Sequence, residues 1–448
     1  MGRLFGTDGV RGIANELLDC ELAFKLGQAG ALVLTNEVHK AKIIIGKDTR
    51  ISGDMLESAM VAGICSVGAE AMIAGVIPTP AIAHLTKSYG ADAGVMISAS
   101  HNTVEYNGIK FFSSDGLKLP DDVEEKIEKI ILDNGKITDL PVGINVGKKV
   151  VIRNASEEYR DFLHYSTDQR FKGLKLILDC AHGAASHIAP NVFRRLGAEI
   201  IPYYNTPDGT NINEKCGSTH PGTLSALVQE MGADLGLAFD GDADRLIAVD
   251  ERGILVDGDT IMAICAMDMK QRGLLKNNTI VATVMSNLGL ELGMKKQGIK
   301  VVQTKVGDRY VLEEMIKDGY NFGGEQSGHI IFSDFNTTGD GVLSGIQLIS
   351  VMRRNHQSLS SLAKCISILP QVLVNAKVPE ENKAVYLDDK EIKSMIKSLN
   401  KEFHGKGRVL IRPSGTEPLI RVMIEGRNQS EIEKKAYTLA KLIEDKSK

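Results

Sequence analysis

Residues 90–97 read Gly90-Ala91-Asp92-Ala93-Gly94-Val95-Met96-Ile97. The pattern returns at Gly232-Ala233-Asp234-Leu235-Gly236 and, with its two glycines kept, at Gly319-Tyr320-Asn321-Phe322-Gly323. Each copy closes a longer unit. The first runs from an apolar strand and polar loop at 42–50, through a helical pattern over 53–67, to a strand opened by Gly68-Ala69-Glu70. The second is 174–179, a helix through Arg195, then 197–201; the third is 279–282, a helix through Lys296, then 298–302. Strands alternating with helices at this spacing predict βαβ units and mostly parallel sheets. Four residues beyond the second glycine stand Ser98, Asp240 and Ser327, so the loops that begin there share one topological position in three domains. Ligands of open α/β sheets bind outside the carboxyl ends of the strands, so three loops converge on one cleft.

The fold class expected is α/β: three similar mixed α/β domains built on βαβ units plus a smaller C-terminal α+β domain. Boundaries are placed at 1–155, 156–254, 255–368 and 369–448. After Pro120 a helix carries Val123, Ile127, Ile130 and Ile131 on one face and ends near Gly135, and a polar stretch leads to Glu157. The last domain reads as a helix over 388–403, strands at 408–411 and 419–425, and a helix from Gln429 with Ser430 and Glu433 as a capping box.

A chain of 448 residues, 43% hydrophobic, is too long for one core. Its 53 Lys+Arg against 57 Asp+Glu give a charge of −4, so there is no basic field to hold nucleic acid. Six scattered cysteines, without a C-x-x-C pair or zinc spacing, read as reduced thiols. The N-terminus lacks an apolar signal segment, and 59–77, the nearest thing to a membrane span, is divided by Glu70 and three glycines. A cytoplasmic protein acting on a small molecule is expected, with no membrane and no nucleic acid; a homodimer is compatible with the chain.

In Ser98-Ala99-Ser100-His101-Asn102 a strand opens into small residues, which leaves the Ser100 hydroxyl beside free backbone N–H groups. A plain turn closing a strand fits the same residues. Asp240-Gly241-Asp242-Ala243-Asp244-Arg245 sets three carboxylates at alternate positions, hard ligands suited to Mg²⁺; an EF-hand is excluded because Arg245 stands where that loop requires Gly. A solvated acidic turn is the other reading. Arg412-Pro413-Ser414-Gly415-Thr416-Glu417-Pro418, with Arg421, offers guanidinium groups, hydroxyls and backbone N–H groups to a phosphate; an ordinary hairpin loop would look similar. Gly324-Glu325-Gln326-Ser327-Gly328-His329 carries donors and acceptors suited to sugar hydroxyls, and Gly6-Thr7-Asp8-Gly9-Val10-Arg11-Gly12 supplies a cation among glycines. His101 and His329 fit a hydrogen-bonding role as well as a proton-carrying one.

Together these pieces resemble the α-D-phosphohexomutase superfamily along essentially the whole chain, in order and in spacing. The resemblance implies four domains around a central cleft, Ser100 as a phosphoserine, and Mg²⁺ on Asp240, Asp242, Asp244 and Ser100. It implies sugar contacts from Glu325 and Ser327 and a substrate contact from Arg245. Arg412, Ser414, Gly415, Thr416 and Arg421 would bind the non-reacting phosphate. Arg11, Lys110 and His101 would stand beside the phosphoryl group, Lys110 helping to move the proton. Two positions depart from the family pattern: Thr103 replaces a usual proline, and Tyr106 stands where an Asp is frequent. The activity implied is isomerisation of glucosamine 6-phosphate to glucosamine 1-phosphate through a 1,6-bisphosphate, feeding UDP-N-acetylglucosamine and cell-wall precursor synthesis. The alternatives are phosphomannomutase or phosphoglucomutase chemistry, a serine phosphatase, or a catalytically silent sugar-phosphate-binding regulator.

Overall fold

The computed structural model describes residues 4–6, 8–35, 40–133, 137, 139–379, 382–383, 388–413 and 418–447. Two compact units emerge, Met1–Met285 with Ile299–Cys365, and Ser286–Gly298 with Ile366–Lys448. The chain begins with β1 (Val10–Ile13), α1 (Cys20–Leu34), β2 (Lys42–Lys47), α2 (Ser52–Ser66), β3 (Glu70–Val76), α3 (Thr79–Ser88), β4 (Ala93–Ile97), β5 (Tyr106–Ser113), α4 (Asp121–Leu132) and β6 (Lys149–Val151). Next come α5 (Ala155–Tyr165), β7 (Lys175–Asp179), α6 (Ala185–Arg195), β8 (Glu199–Tyr203), α7 (Gly222–Met231), β9 (Leu235–Phe239), β10 (Leu246–Asp250) and β11 (Leu255–Val256). A third set is α8 (Gly258–Gln271), β12 (Thr279–Thr283), α9 (Leu288–Lys296), β13 (Lys300–Thr304), α10 (Asp308–Asp318), β14 (Phe322–Gly324), β15 (Ile330–Phe332) and α11 (Gly341–Asn355).

The strand orders are β1-β5-β4-β2-β3-β6, β11-β10-β9-β7-β8 and β13-β12-β14-β15. All three contain the same four-strand frame. The two strands of the βαβ unit pair in parallel, the next strand adds in parallel beside the first, and the one after it turns back antiparallel. The sheets are therefore mixed, with the parallel part confined to the strands that helices connect. Strands β4, β9 and β12 are buried along their whole length, which is why they read as unbroken apolar runs.

The repeated second glycine has a packing cause. A Cβ on Gly94 would stand 2.8 Å from Ile82, one on Gly236 2.8 Å from Leu224, and one on Gly323 3.0 Å from Met315. Those residues lie on α3, α7 and α10, the helix preceding the strand in each domain, so each helix seats directly on the strand that carries the functional loop.

In the second unit β16 (Gln371–Lys377), β17 (Arg408–Pro413) and β18 (Leu419–Glu425) form an antiparallel sheet ordered β16-β18-β17. Helices Lys390–Phe403 and Gln429–Lys446 pack Ile392, Leu399, Phe403, Ile432, Leu439 and Ile443 against Ile420, Val422 and Ile424. The final helix is capped by Asn428, whose side chain accepts from Glu431 N–H, not by Ser430 and Glu433. That correction follows from the helix beginning at Gln429, two residues earlier than a Ser430 cap requires. The polar stretch before Glu157 holds β6, and the strand β16 carried no signal strong enough to be expected; both lie at sheet edges with many exposed residues. No helix among the described residues is long and apolar enough to cross a membrane.

Candidate active site

The serine loop starts where β4 ends, and its shape is set by the loop after the adjacent parallel strand β2. Ser98 Oγ donates to Asp48 Oδ2 at 2.6 Å and accepts from Ser100 N–H at 2.9 Å. Arg50 Nε donates to the same Asp48 oxygen at 2.9 Å, and both side chains are fully buried. The Arg50 guanidinium then reaches the carbonyls of Ser100 (3.1 Å), Asn102 (2.7 Å) and Thr103. Asn213 Nδ2 donates to the Ser100 and Asn102 carbonyls at 2.8 Å. Gripped from both sides, Ser100 holds φ 53°, a left-handed conformation that a serine adopts only when its surroundings over-determine it. Its hydroxyl, 1% exposed, donates to Asp240 Oδ2 at 2.6 Å. Burial pushes the Asp48 carboxyl up, against the opposing pull of Arg50 and Ser98. At the two departures from the family pattern, Tyr106 N–H donates to Thr103 O at 3.2 Å, a backbone bond that closes the loop onto β5.

The aspartate loop follows β9 as expected from the repeat, and it abuts the serine loop so closely that a Cβ on Gly241 would lie 2.5 Å from Ser100 O. Ligand oxygens of Asp240, Asp242 and Asp244 lie within 4.8 Å of one another, and all three residues are buried. Burial, with Asp244 and Asp242 beside it, pushes the Asp240 carboxyl far up. Asp242 accepts from Thr79 Oγ1 at 2.5 Å and from Lys110 Nζ at 2.8 Å through one oxygen. Among the described residues, its other oxygen and Asp244 Oδ1 are buried and have no hydrogen-bond partner. Two buried anionic oxygens without a donor are what a hard divalent cation satisfies, so the residues fit Mg²⁺.

Lys110, on β5, is buried among Asp242 (2.8 Å), Asp8 (3.2 Å) and Asp244 (3.9 Å). Burial works against its charge, but the three carboxylates outweigh it and hold the ammonium protonated. Arg11, on β1, pairs with Asp8 and donates to Asn102 Oδ1 at 3.4 Å, so it reaches the serine loop through a side chain where Arg50 reaches its carbonyls. His101 Nδ1 lies 3.3 Å from Ser100 Oγ; burial and the cations Arg245 and Arg11 push the imidazole down to about 4, so it is neutral near pH 7. Arg245 N–H donates to Asp240 Oδ1 at 3.2 Å, and its charge is sustained against burial by Asp244, Asp240 and Glu325.

The third loop, after β14, sits against the second: Leu246 N–H donates to Gly328 O at 3.0 Å. Glu325 Oε1 accepts from Gly307 N–H at 3.1 Å, Gln326 bonds Asp257 at 3.2 Å, and Ser327 is exposed. His329 lies 3.5 Å from Asp244 through Nδ1. Ser100, His101, Lys110, Arg11, Arg245 and the three aspartates are thus joined by direct contacts, with Glu325 beside Arg245. In the second unit Arg412 and Arg421 are cross-strand partners on β17 and β18; Ser414, Gly415 and Thr416 fall outside the described residues. Sequence reasoning missed Arg50, Asp48, Thr79 and Asn213. The first two did carry a signal, since they end the first strand of the repeat, where a parallel sheet binds its ligands; Thr79 and Asn213 reach the site only through tertiary folding.

The Phosphoglucomutase/phosphomannomutase family matches in four segments: alpha/beta/alpha domain I over 2–137, domain II over 157–253, domain III over 257–367 and the C-terminal domain over 373–442. A phosphoglucosamine mutase of Clostridium novyi (strain NT) is 59% identical over 447 residues, covering 100% of both chains. Among solved structures, a phosphoglucomutase/phosphomannomutase family protein from Burkholderia thailandensis shares the fold at TM-score 0.80 and 22% identity, covering 98% of each chain. An Aspergillus fumigatus N-acetylphosphoglucosamine mutase in complex with GlcNAc-6P and magnesium does so at TM-score 0.69 and 16% identity, covering 99% of this chain and 96% of that one. With four domain matches in order and a relative alike from end to end, the chain belongs to the phosphoglucomutase/phosphomannomutase family.

Proposed function

We propose that this chain interconverts glucosamine 6-phosphate and glucosamine 1-phosphate by phosphoryl transfer through Ser100. The observation that carries the reading is Ser100 Oγ, buried and 2.6 Å from Asp240, beside two unpartnered carboxylate oxygens and a buried ammonium. End-to-end likeness to a phosphoglucosamine mutase supports the choice of sugar. Phosphorylated Ser100 and the three aspartates would hold Mg²⁺, which when bound neutralises charge developing on the phosphoryl oxygens.

The residues of the chain do the rest. The phosphoryl group of phosphoserine 100 passes to the free hydroxyl of the sugar monophosphate: the Ser100 Oγ–P bond breaks as the sugar O–P bond forms, the proton leaving the sugar hydroxyl ends on Ser100 Oγ, and the other phosphate of the resulting 1,6-bisphosphate returns to Ser100 after the sugar turns over. Lys110, fixed as an ammonium, and Arg11 donate hydrogen bonds to the transferring group, where charge in a loose transition state spreads over its oxygens. On return, the Ser100 O–H bond breaks as O–P forms, and Asp240 Oδ2 and neutral His101 Nδ1 are the acceptors within reach of the proton. Glu325 and Ser327 face the sugar, and Arg412 and Arg421, with Ser414, Gly415 and Thr416, bind the phosphate that is not reacting. The six cysteines are free thiols, in keeping with a cytoplasmic enzyme.

The test is turnover of glucosamine 6-phosphate, with Mg²⁺ and a catalytic amount of glucosamine 1,6-bisphosphate, followed by phosphorus NMR. The expected product is glucosamine 1-phosphate, lost when EDTA removes the cation. Inorganic phosphate instead would make the chain a phosphatase, and no product would make it a binding protein.

A further inference from the structure

Six buried or half-buried groups close a ring of charge: Asp8, Lys118, Asp308, His329, Asp244 and Lys110. Lys110 stands 3.2 Å from Asp8 and 3.9 Å from Asp244. Lys118 Nζ bridges Asp8 Oδ1 and Asp308 Oδ2. Asp308 Oδ2 lies 3.2 Å from His329 Nε2, and His329 Nδ1 3.5 Å from Asp244, which completes the circuit. The members come from the segments around all three sheets: Asp8, Lys110 and Lys118 from the first, Asp244 from the loop between β9 and β10, Asp308 from the start of α10 and His329 from the loop between β14 and β15. Four of the six, Asp8, Lys110, Asp244 and His329, stand in or against the phosphoryl-transfer centre described above. Lys118 and Asp308 do not, and nothing in that chemistry requires them.

What they hold is specific. Asp308 opens α10, and the residue before it, Gly307, donates its N–H to Glu325 Oε1 at 3.1 Å. One turn, Gly307-Asp308, therefore lies against both ends of the 325–329 loop: Gly307 N–H donates to Glu325, and Asp308 Oδ2 stands 3.2 Å from His329 Nε2, which itself accepts from Gly339 N–H at 3.0 Å. That loop is itself a tight turn, with Glu325 N–H donating to His329 O at 2.9 Å and Gly328 N–H to Glu325 O at 3.0 Å. Lys118 follows β5, the strand that carries Lys110, and is fastened to it by a bridge to Phe112. Burial opposes its charge, and Asp308 and Asp8 outweigh the burial. The Lys118–Asp308 pair is thus the strut between the sugar loop and the strand bearing the phosphoryl-site lysine.

We propose that Lys118 and Asp308 are a positioning pair, which sets the Glu325–His329 loop at the separation from Lys110, Arg11 and Ser100 that transfer requires. This rests on the mutase reading given above. Neither residue touches reacting atoms. Because the sugar loop keeps its own turn hydrogen bonds without the pair, ground-state binding is largely preserved, and the loss falls on alignment in the transition state.

A double-mutant cycle on the full chain tests this: Lys118→Met, Asp308→Asn and the two combined, with kcat, KM and melting temperature measured beside wild type. Each single change is expected to lower kcat about ten- to hundredfold with KM moving less than about threefold. The combined variant should be no worse than the poorer single, as for two ends of one strut. Additive losses, a change confined to KM, or kcat at the wild-type level would overturn the proposal. If a neutral variant fails to fold, Asp308→Glu decides, since it keeps the charge pair but shifts the carboxylate by one methylene. A loss in kcat of about fivefold or more supports the pair, and less refutes it. Absence of mutase turnover in wild type refutes the mutase reading, whereas wild-type turnover with an unaffected variant refutes the pair alone.

Discussion

The reacting residues of the serine and aspartate loops are buried, while the loop after β14 is open on one side. Ser100 is 1% and Asp240 0% exposed, whereas Ser327 is exposed and Glu325 and Gln326 are only half-buried. The first pair is cross-linked by buried side chains from elsewhere: Arg50 and Asn213 on the serine loop, Thr79 and Lys110 on the aspartates. The backbone turns through left-handed residues there, Ser100 and Ala243, which need that support, and through Gly328 in the third loop, which does not. The contrast separates two tasks. On the proposed reading, the groups that move a phosphoryl group are preorganised and serve any hexose phosphate, while those that tell one sugar from another sit where a side chain can change at little cost to the fold.

Three substitutions probe that division, from its strongest claim to its weakest. Ser100→Ala removes the carrier, and turnover should drop by about 10³-fold or more while the melting temperature stays near wild type. Peptide mass spectrometry of the wild-type chain should show phosphate on the peptide containing Ser100, and turnover surviving the alanine would end the case for the buried serine. Arg50→Met leaves Asp48 buried without its partner, an effect of about 3–5 kcal/mol on stability in addition to lost activity. Urea unfolding measures it, and a midpoint equal to wild type would mean that the loop is held by Asn213 alone. Ser327→Ala should change kcat/KM for glucosamine 6-phosphate by less than about tenfold, shifting its ratio to glucose 6-phosphate by about three- to tenfold. An effect as large as that of Ser100→Ala would erase the distinction between the two regions.

Much of this was legible in the sequence because the repeat is local. The paired glycines at 90–94, 232–236 and 319–323 locate three equivalent strands, and the loops that follow fall where the frame puts them. Where the third strand stops was not legible: β14 ends at Gly324, two residues earlier than the glycine spacing implies, because its pairing with β12 lasts only through Ala282–Gly324. The candidate site was legible wherever chemistry is concentrated in one run, as in Asp240, Asp242 and Asp244. It was hidden where one side chain arrives from far away. Asn213 lies 113 residues from Ser100, and Lys118 lies 190 from Asp308. No periodicity records such partners, since each is set by how whole domains meet. The misplaced cap at Ser430 is a smaller case, in which Asn428 and Ser430 both qualify and only the helix start decides.

The shared four-strand frame also shows how such a domain grows. The first sheet carries β1 and β6 outside the frame, the second carries β11, and the third carries nothing. Every addition sits at a margin and none has come between the inner strands, because an intruding strand would displace the loop that each frame holds out. Enlargement at the rim is free of that penalty and can gain chemistry, since β1 is the strand that brings Arg11 to the serine loop. The opposite rim, where Ile144 is 97% exposed in the connection leading to β6, is therefore the natural place to graft a foreign peptide without disturbing catalysis.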